Sequence, residues 1–95
     1  MREIVLDGSS WRGVEDFYAA LLPALGAPES HGRDLDALND SLRGGDLNLV
    51  NPPLAITISG IYTMTPDAER VVRSFAELAD ALAAEGIQIS VEIAP

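Results

Sequence analysis

Three segments of the chain carry the short or alternating apolar patterns of β-strands. Apolar residues 4–6 lie between Glu3 and Asp7, and a Gly-Ser-Ser turn follows them. Residues 54–59 alternate large apolar side chains with small or polar ones, which is typical of a strand covered mainly on one face. The same alternation returns over 87–93. We therefore predict one strand around residues 4–6, a second over 54–59 and a third over 87–93.

The segments between these strands carry apolar residues at the spacing of helices. The apolar stripe of the first helix runs through Val14, Phe17, Leu21 and Leu25. Pro23 cannot donate a helical hydrogen bond, so we expect a kink or an early end near Leu22, with Gly26 closing the segment.

A second helix is predicted to begin after Asp34 as its N-cap and to run to the glycines at 44 and 45. Residues 27–33 before it have turn chemistry and no periodicity, so they form a loop. One face of the helix carries Leu35, Leu38 and Leu42. The opposite face carries Asp36, Asn39, Asp40 and Arg43. The second helix therefore combines a core face with a polar, charged face.

A third helix has a strong start signal. Thr65 is suited to cap it, Pro66 to occupy its first position and Asp67 to favour the helix dipole. Gly86 is expected to end it. Its apolar face comprises Val71, Val72, Phe75, Leu78 and Leu82.

The element order of strand, two helices, strand, helix and strand predicts the topology. Connections through helices favour parallel strands, and the crossovers are expected to be right-handed. A sheet buried on both faces would have continuously apolar strands, whereas the second and third strands alternate. We therefore predict an α/β fold of two layers, with a three-stranded parallel sheet and helices packed mainly on one side. Because the chain has only 95 residues, we expect residues 1–95 to form a single domain.

The charge of the chain narrows the classes of partner. It has 15 acidic and 6 basic residues, so its net charge is −9. Phosphate backbones repel such a surface, so nucleic-acid binding is not expected.

With no cysteine, the chain cannot form disulfides or sulfur-based metal sites. It begins without a signal-peptide pattern and has no apolar run of membrane-spanning length. We expect a cytoplasmic protein that binds neither membranes nor a cofactor.

Two carboxylates on the second helix are candidates for binding chemistry. Asp36 and Asp40 are four residues apart, and a like-charge pair at this spacing costs about 0.2–0.5 kcal/mol of helix stability. One interpretation is an ordinary solvated face that Arg43 partly neutralises. The other is a pair of carboxylates presented to a partner.

The segment around these carboxylates resembles a known family. The pattern Gly-x-x-Leu-Asp-Ala-Leu-x-Asp-x-Leu over residues 32–42 resembles the central signature of barstar-like ribonuclease inhibitors, and the element order is similar over nearly the whole chain. The resemblance implies a cytoplasmic inhibitor, not an enzyme, that blocks a small secreted guanyl-specific microbial ribonuclease of the barnase type. It also implies a two-layer fold with three parallel strands.

The resemblance also implies a mode of binding. A ribonuclease active site binds phosphate with cationic side chains, and carboxylates on a helix can occupy that pocket. Asp40 matches the family's main phosphate-mimicking aspartate, and Asp36 matches a second interface aspartate. Residues 30–33 match the loop that lies against the enzyme, and the turn at 44–45 matches another contact. The expected partner-binding residues are Ser30, His31, Gly32, Arg33, Asp36, Asn39, Asp40, Arg43, Gly44, Glu77 and Asp80.

The chain departs from the family pattern at several of these positions. The family commonly carries aromatic residues where this chain has Ser30, His31, Asn39 and Gly45. Aromatic anchors usually dominate interfaces, so a different target or a different distribution of binding energy is implied. His31 either contacts a partner or is a solvated loop residue. A third acidic contact on the last helix is either Glu77 or Asp80.

Three other functions compete with the inhibitor hypothesis. Asp40-Ser41-Leu42 resembles the modification site of acyl or peptidyl carrier proteins, in which Ser41 would bear phosphopantetheine, although such proteins are all-helical. A general acidic decoy would mimic nucleic acid with little discrimination. A hydrolase triad of Ser41, His31 and Asp40 lacks the expected Gly-x-Ser-x-Gly turn.

Overall fold

The computed structural model describes residues 1–44 and 48–95 and contains the six predicted elements in the predicted order. The strands are β1 (Arg2–Asp7), β2 (Leu54–Ser59) and β3 (Ile89–Ile93). The helices are α1 (Val14–Ala24), α2 (Leu35–Gly44) and α3 (Pro66–Ala84). The predicted series of strands and helices is therefore confirmed.

The three strands form one parallel sheet in the order β1-β2-β3. Ile4 of β1 pairs with Ile56 of β2, which in turn pairs with Val91 of β3. α1 and α2 connect β1 to β2, and α3 connects β2 to β3. Each parallel pair thus has the helical crossover that parallel pairing requires.

Helices cover one face of the sheet. On that face, Ile56 and Ile58 of β2 are at most 1% exposed. α3 packs against β3 and against both other helices. Its Phe75 meets Phe17 of α1 edge to face, with ring centroids 5.4 Å apart. On the other face, Val5 of β1 is 74% exposed. The structure is the expected two-layer α/β fold, with the helices mainly on one side.

The starts of α2 and α3 follow their capping signals. Asp34 Oδ1 accepts a hydrogen bond from the Ala37 N–H at 2.7 Å, which satisfies a free donor in the first turn of α2. Thr65 Oγ1 accepts from the Ala68 N–H at 3.3 Å, and proline is the first residue of α3. Within the described residues, every helix is too short or too polar to cross a bilayer.

The start of β3 differs from the prediction. The strand begins at Ile89, not at Ile87. The Ile87 N–H donates to the Leu82 carbonyl oxygen at 3.1 Å, so residue 87 completes the C-terminal turn of α3. Gly86, with a φ of 93°, allows the chain to make this turn.

The end of α1 also differs from the prediction. The helix continues past Leu22 to Ala24 with Pro23 inside its last turn. There the proline lacks the N–H that a helix uses at this position, but the helix ends one residue later, and Gly26 at a φ of 65° then ends the segment. Val14, which belongs to the predicted apolar stripe, is 41% exposed at the start of the helix.

Candidate protein-binding site

α2 separates an apolar face from a charged face, as predicted. Leu38 and Leu42 are buried in the core, whereas Asp36 and Asp40 are exposed one helical turn apart. Among the described residues, neither of these two aspartates forms a salt bridge. Asn39 between them is half-buried. The helix thus holds two accessible carboxylates on one face.

Arg43 pairs directly with Glu85 and not with these aspartates, and the nearby charge of Asp40 makes a smaller contribution to raising the pKa of Arg43. Its guanidinium forms two hydrogen bonds of 2.6 Å to the carboxylate of Glu85, beyond the end of α3. Its Nε donates to Asn39 Oδ1 at 2.8 Å. Hydrogen bonding within the ion pair raises the pKa of Arg43 and lowers the pKa of Glu85. The end of α2 is therefore linked to the end of α3, and its only cation is engaged there.

Arg33 ties the loop before α2 to the first helix. Its Nη1 lies 3.0 Å from Glu15 Oε2 in an exposed ion pair. Its neighbours Ser30 and Gly32 are also exposed in this loop. At the other end of α2, Gly44 is exposed, whereas Gly45 lies outside the described residues. The structure therefore places the exposed loop and the two aspartates on consecutive parts of one segment.

Helix geometry places Glu77 closer than Asp80 to a groove that α3 shares with the other two helices. Both side chains are exposed. Ser74 marks the side of α3 that lines this groove, as Asp36 of α2 also does. At about 100° per residue, Glu77 lies about 60° around the helix from Ser74, whereas Asp80 lies about 120° away.

That groove lies between the starts of the three helices and has a volume of about 540 Å³. The sequence pattern does not predict it. Its apolar lining comes from Val14, Tyr18, Leu35 and Val71. Its polar lining comes from Arg33, Asp34, Asp36, Asp67, Arg70 and Ser74. Burial, followed by the nearby charges of Asp34 and Glu15, raises the pKa of Tyr18, so its hydroxyl stays neutral. The only sequence signal of this groove is the apolar Val14 at an exposed helix start.

The structure corrects the interpretation of His31 as a solvated loop residue. The side chain is 4% exposed, and its Nε2 lies 2.9 Å from the Oγ of Ser41, which is 3% exposed. Its Nδ1 lies 2.6 Å from the Gly32 carbonyl oxygen. The ring therefore has almost no surface to offer a partner, and its contacts are internal.

The carrier-protein and hydrolase alternatives do not fit this arrangement. A carrier serine must be exposed on an all-helical protein, whereas Ser41 is buried and the fold contains a sheet. The structure does bring Ser41 and His31 together. However, the second ring nitrogen faces a backbone carbonyl and Asp40 is exposed, so the triad lacks its carboxylate. The buried hydroxyl cannot reach a substrate.

One comparison with known proteins gives a match over almost the whole chain. A family model described as Barstar (barnase inhibitor) matches residues 1–94. A comparison with curated proteins found no match. The match covers every element described above, including the loop and α2.

Proposed function

Because the chain belongs to the barstar family, we propose that it inhibits a small secreted guanyl-specific ribonuclease of the barnase type by covering the active site of that enzyme. The exposed carboxylates of Asp36 and Asp40 carry this proposal. They lie one turn apart on α2 and are left without a salt bridge among the described residues. A family member of this kind acts as an inhibitor and not as an enzyme.

The proposed mechanism is mimicry of the phosphate. A ribonuclease stabilises phosphate charge with arginine, lysine and histidine side chains, and a carboxylate that enters this pocket forms charge-assisted hydrogen bonds with the same groups. Asp40, towards the middle of the exposed face, is the main mimic, and Asp36 is the second. Because the inhibitor occupies the cleft, RNA cannot enter it.

The surroundings of the two carboxylates support a larger contact surface. Residues 30–33 and Gly44 flank α2 at its two ends. The groove beside Asp36 is lined by apolar residues and by three aspartates and two arginines, and the second arginine, Arg70, pairs with Asp67 at 3.4 Å. Such a groove suits the long apolar stem and charged head of a basic side chain from the enzyme. Glu77 extends the acidic surface onto α3.

The proposed site of action is the cytoplasm of the cell that makes the ribonuclease. There the inhibitor would neutralise enzyme molecules before their export. The net charge of −9 supports rapid capture, since it attracts a cationic active site over long distances.

The test is to mix the protein with each of a panel of small secreted guanyl-specific ribonucleases and to measure inhibition as the loss of RNA cleavage. We expect stoichiometric inhibition of at least one enzyme by the native protein and severe loss of inhibition in Asp40→Asn. Glu92→Gln is the matched control, because it removes one negative charge from an exposed residue of β3. Failure of the native protein to inhibit any enzyme at micromolar concentration would overturn the proposal. Equal losses in both variants would instead support a general acidic decoy.

A further inference from the structure

Three buried polar side chains join the loop before α2, α2 itself and the segment before β2. His31 lies in the loop before α2, Ser41 lies within α2, and Asn48 precedes β2. Each is at most 4% exposed. His31 Nε2 lies 2.9 Å from Ser41 Oγ, and Asn48 Nδ2 donates to the same oxygen at 3.1 Å. We call these three side chains the polar junction.

The backbone determines the direction of these hydrogen bonds. The Gly32 carbonyl oxygen, 2.6 Å from His31 Nδ1, can only accept, so Nδ1 must carry a proton. In the neutral ring, Nε2 is then an acceptor. It competes for the single hydroxyl proton of Ser41 with the Leu38 carbonyl oxygen, and the contact to Nε2 is the shorter, at 2.9 Å against 3.3 Å. The Ser41 oxygen accepts in turn from Asn48. Donation through the shorter contacts thus runs from Asn48 through Ser41 and His31 to Gly32, and the Leu38 carbonyl oxygen is a second, more distant acceptor for the Ser41 hydroxyl.

We propose that His31 is a positioning residue for the inhibitor site. Through the polar junction it holds residues 30–33 against α2, so that the loop and the carboxylates of α2 meet the ribonuclease as one preformed surface. This inference rests on the proposed function. Residues 30–33 lie outside the helices and strands, and a loop that is ordered only on binding loses affinity to its conformational entropy.

The other ties of this loop are weaker. The Arg33–Glu15 ion pair is exposed on both sides, and such pairs contribute little. The His31 N–H donates to the Pro28 carbonyl oxygen at 2.9 Å, but this bond lies within the loop itself. The hydrogen bond between His31 and Ser41 is buried and reaches α2. It is therefore the bond that fixes the position of the loop relative to Asp36 and Asp40.

The test compares two substitutions of the serine. Ser41→Ala removes the central hydroxyl with little change of volume, whereas Ser41→Thr keeps the hydroxyl. We expect the alanine variant to bind a sensitive ribonuclease about tenfold more weakly, mainly through faster dissociation, and the threonine variant to recover most of that loss. Hydrogen exchange of the amides of residues 31–33 should speed up in the alanine variant alone. If the extra methyl group of Ser41→Thr does not fit the buried site, His31→Phe provides the second test. It fills a similar space without the polar atoms and should weaken ribonuclease binding as much as Ser41→Ala does.

A control separates positioning from stability. Ile58→Val trims a fully buried residue of β2 and lowers the melting temperature without touching the polar junction. It should leave ribonuclease binding unchanged at a temperature where every variant is folded. If Ile58→Val weakens binding as much as Ser41→Ala does, loss of stability explains both, and the positioning role is wrong.

The ring of His31 provides a readout that needs no partner. Nitrogen chemical shifts of the neutral imidazole should show a protonated Nδ1 and a bare Nε2, and the opposite tautomer would overturn the proposed chain of donors. Undiminished binding by Ser41→Ala, when the native protein inhibits, would overturn this inference alone. A native protein that inhibits no ribonuclease would overturn the proposed function and the positioning role with it.

Discussion

The acidic residues of α2 and those at the start of α3 are arranged in opposite ways. On α3, Asp67 pairs with Arg70 at 3.4 Å and Glu69 pairs with Arg73 at 2.8 Å. On α2, Asp36 and Asp40 form no salt bridge within the described residues. Pairs at helical spacing add a few tenths of a kcal/mol of stability, whereas two carboxylates one turn apart subtract a similar amount. The comparison indicates that the charges of α3 stabilise a helix and that those of α2 are available to a partner.

The largest expected effect comes from Asp40→Ala. We expect it to weaken ribonuclease binding by about 2–5 kcal/mol, a range taken from complexes that include a member of this same family. Its melting temperature should stay the same or rise slightly, since the repulsion with Asp36 is relieved. Isothermal titration and thermal unfolding check the two expectations.

Glu69→Ala is the matched change on α3. It breaks a pair at helical spacing, so it should lower stability by a few tenths of a kcal/mol and leave binding intact. A binding loss as large as that of Asp40→Ala would erase the distinction between the two helices.

The next effect concerns the rate of association. A chain of net charge −9 should be attracted to a cationic active site, and salt should screen that attraction. We expect association to slow by about tenfold or more from low to high ionic strength, measured by stopped flow. Asp36→Asn combined with Asp40→Asn should flatten this dependence more than two neutralising substitutions on the open face of the sheet. Rates that do not change with salt would show that the net charge plays no part in capture.

Asp36→Ala should have a smaller effect than Asp40→Ala, about 1–2 kcal/mol in binding. Asp67 provides a sharp comparison because it lines the same groove but is paired with Arg70. Asp67→Ala should act mainly on stability, through the lost dipole interaction in the first turn of α3. Inhibition titrations against one ribonuclease compare Asp36→Ala with Asp67→Ala. Equal losses of inhibition in the two variants would favour a general acidic decoy.

The smallest effect concerns the pH dependence of stability at the Arg43–Glu85 pair. Hydrogen bonding to Arg43 lowers the pKa of Glu85 from its ordinary 4.5 in the folded state. A carboxylate whose pKa is lower in the folded state than in the unfolded state stabilises the fold at any pH above its unfolded-state pKa. This stability is lost as the pH falls through the folded-state pKa. The native protein should therefore melt slightly above Glu85→Gln at neutral pH, and the two melting temperatures should converge below pH 4.5. The difference is small because both side chains are exposed. A difference that grows on acidification would contradict this assignment.

The secondary structure and the charged face of α2 could be predicted from the sequence because their causes are local. Caps such as Asp34 and Thr65 act within three residues, and the apolar spacing of α2 reports its buried face directly. The alternation predicts the start of β3 two residues too early, because Ile87 fits the strand pattern but its N–H bonds back to α3.

The features that the sequence could not show depend on distant partners. His31 looks like any polar loop residue until Ser41 and Asn48 are brought to it by the fold. Arg43 is four residues from Asn39 but binds Glu85 at the far end of another helix. The groove draws its walls from three helices, and no single segment carries its pattern.

The order of the strands determines when the fold can form during synthesis. Residues of β1 leave the ribosome before those of β2 and β3, but Ile4 has no partner in the sheet until Ile56 of β2 has been made, and Ile56 needs Val91 of β3 to complete its pairing. α2 emerges before α3, on which its packing and the Arg43 ion pair depend. Closing such distant pairs is slow compared with forming a helix. A partly made chain therefore lacks the packed sheet and the α3 contacts that hold α2 in place, so under the proposed function inhibition would begin only after β3 has been made.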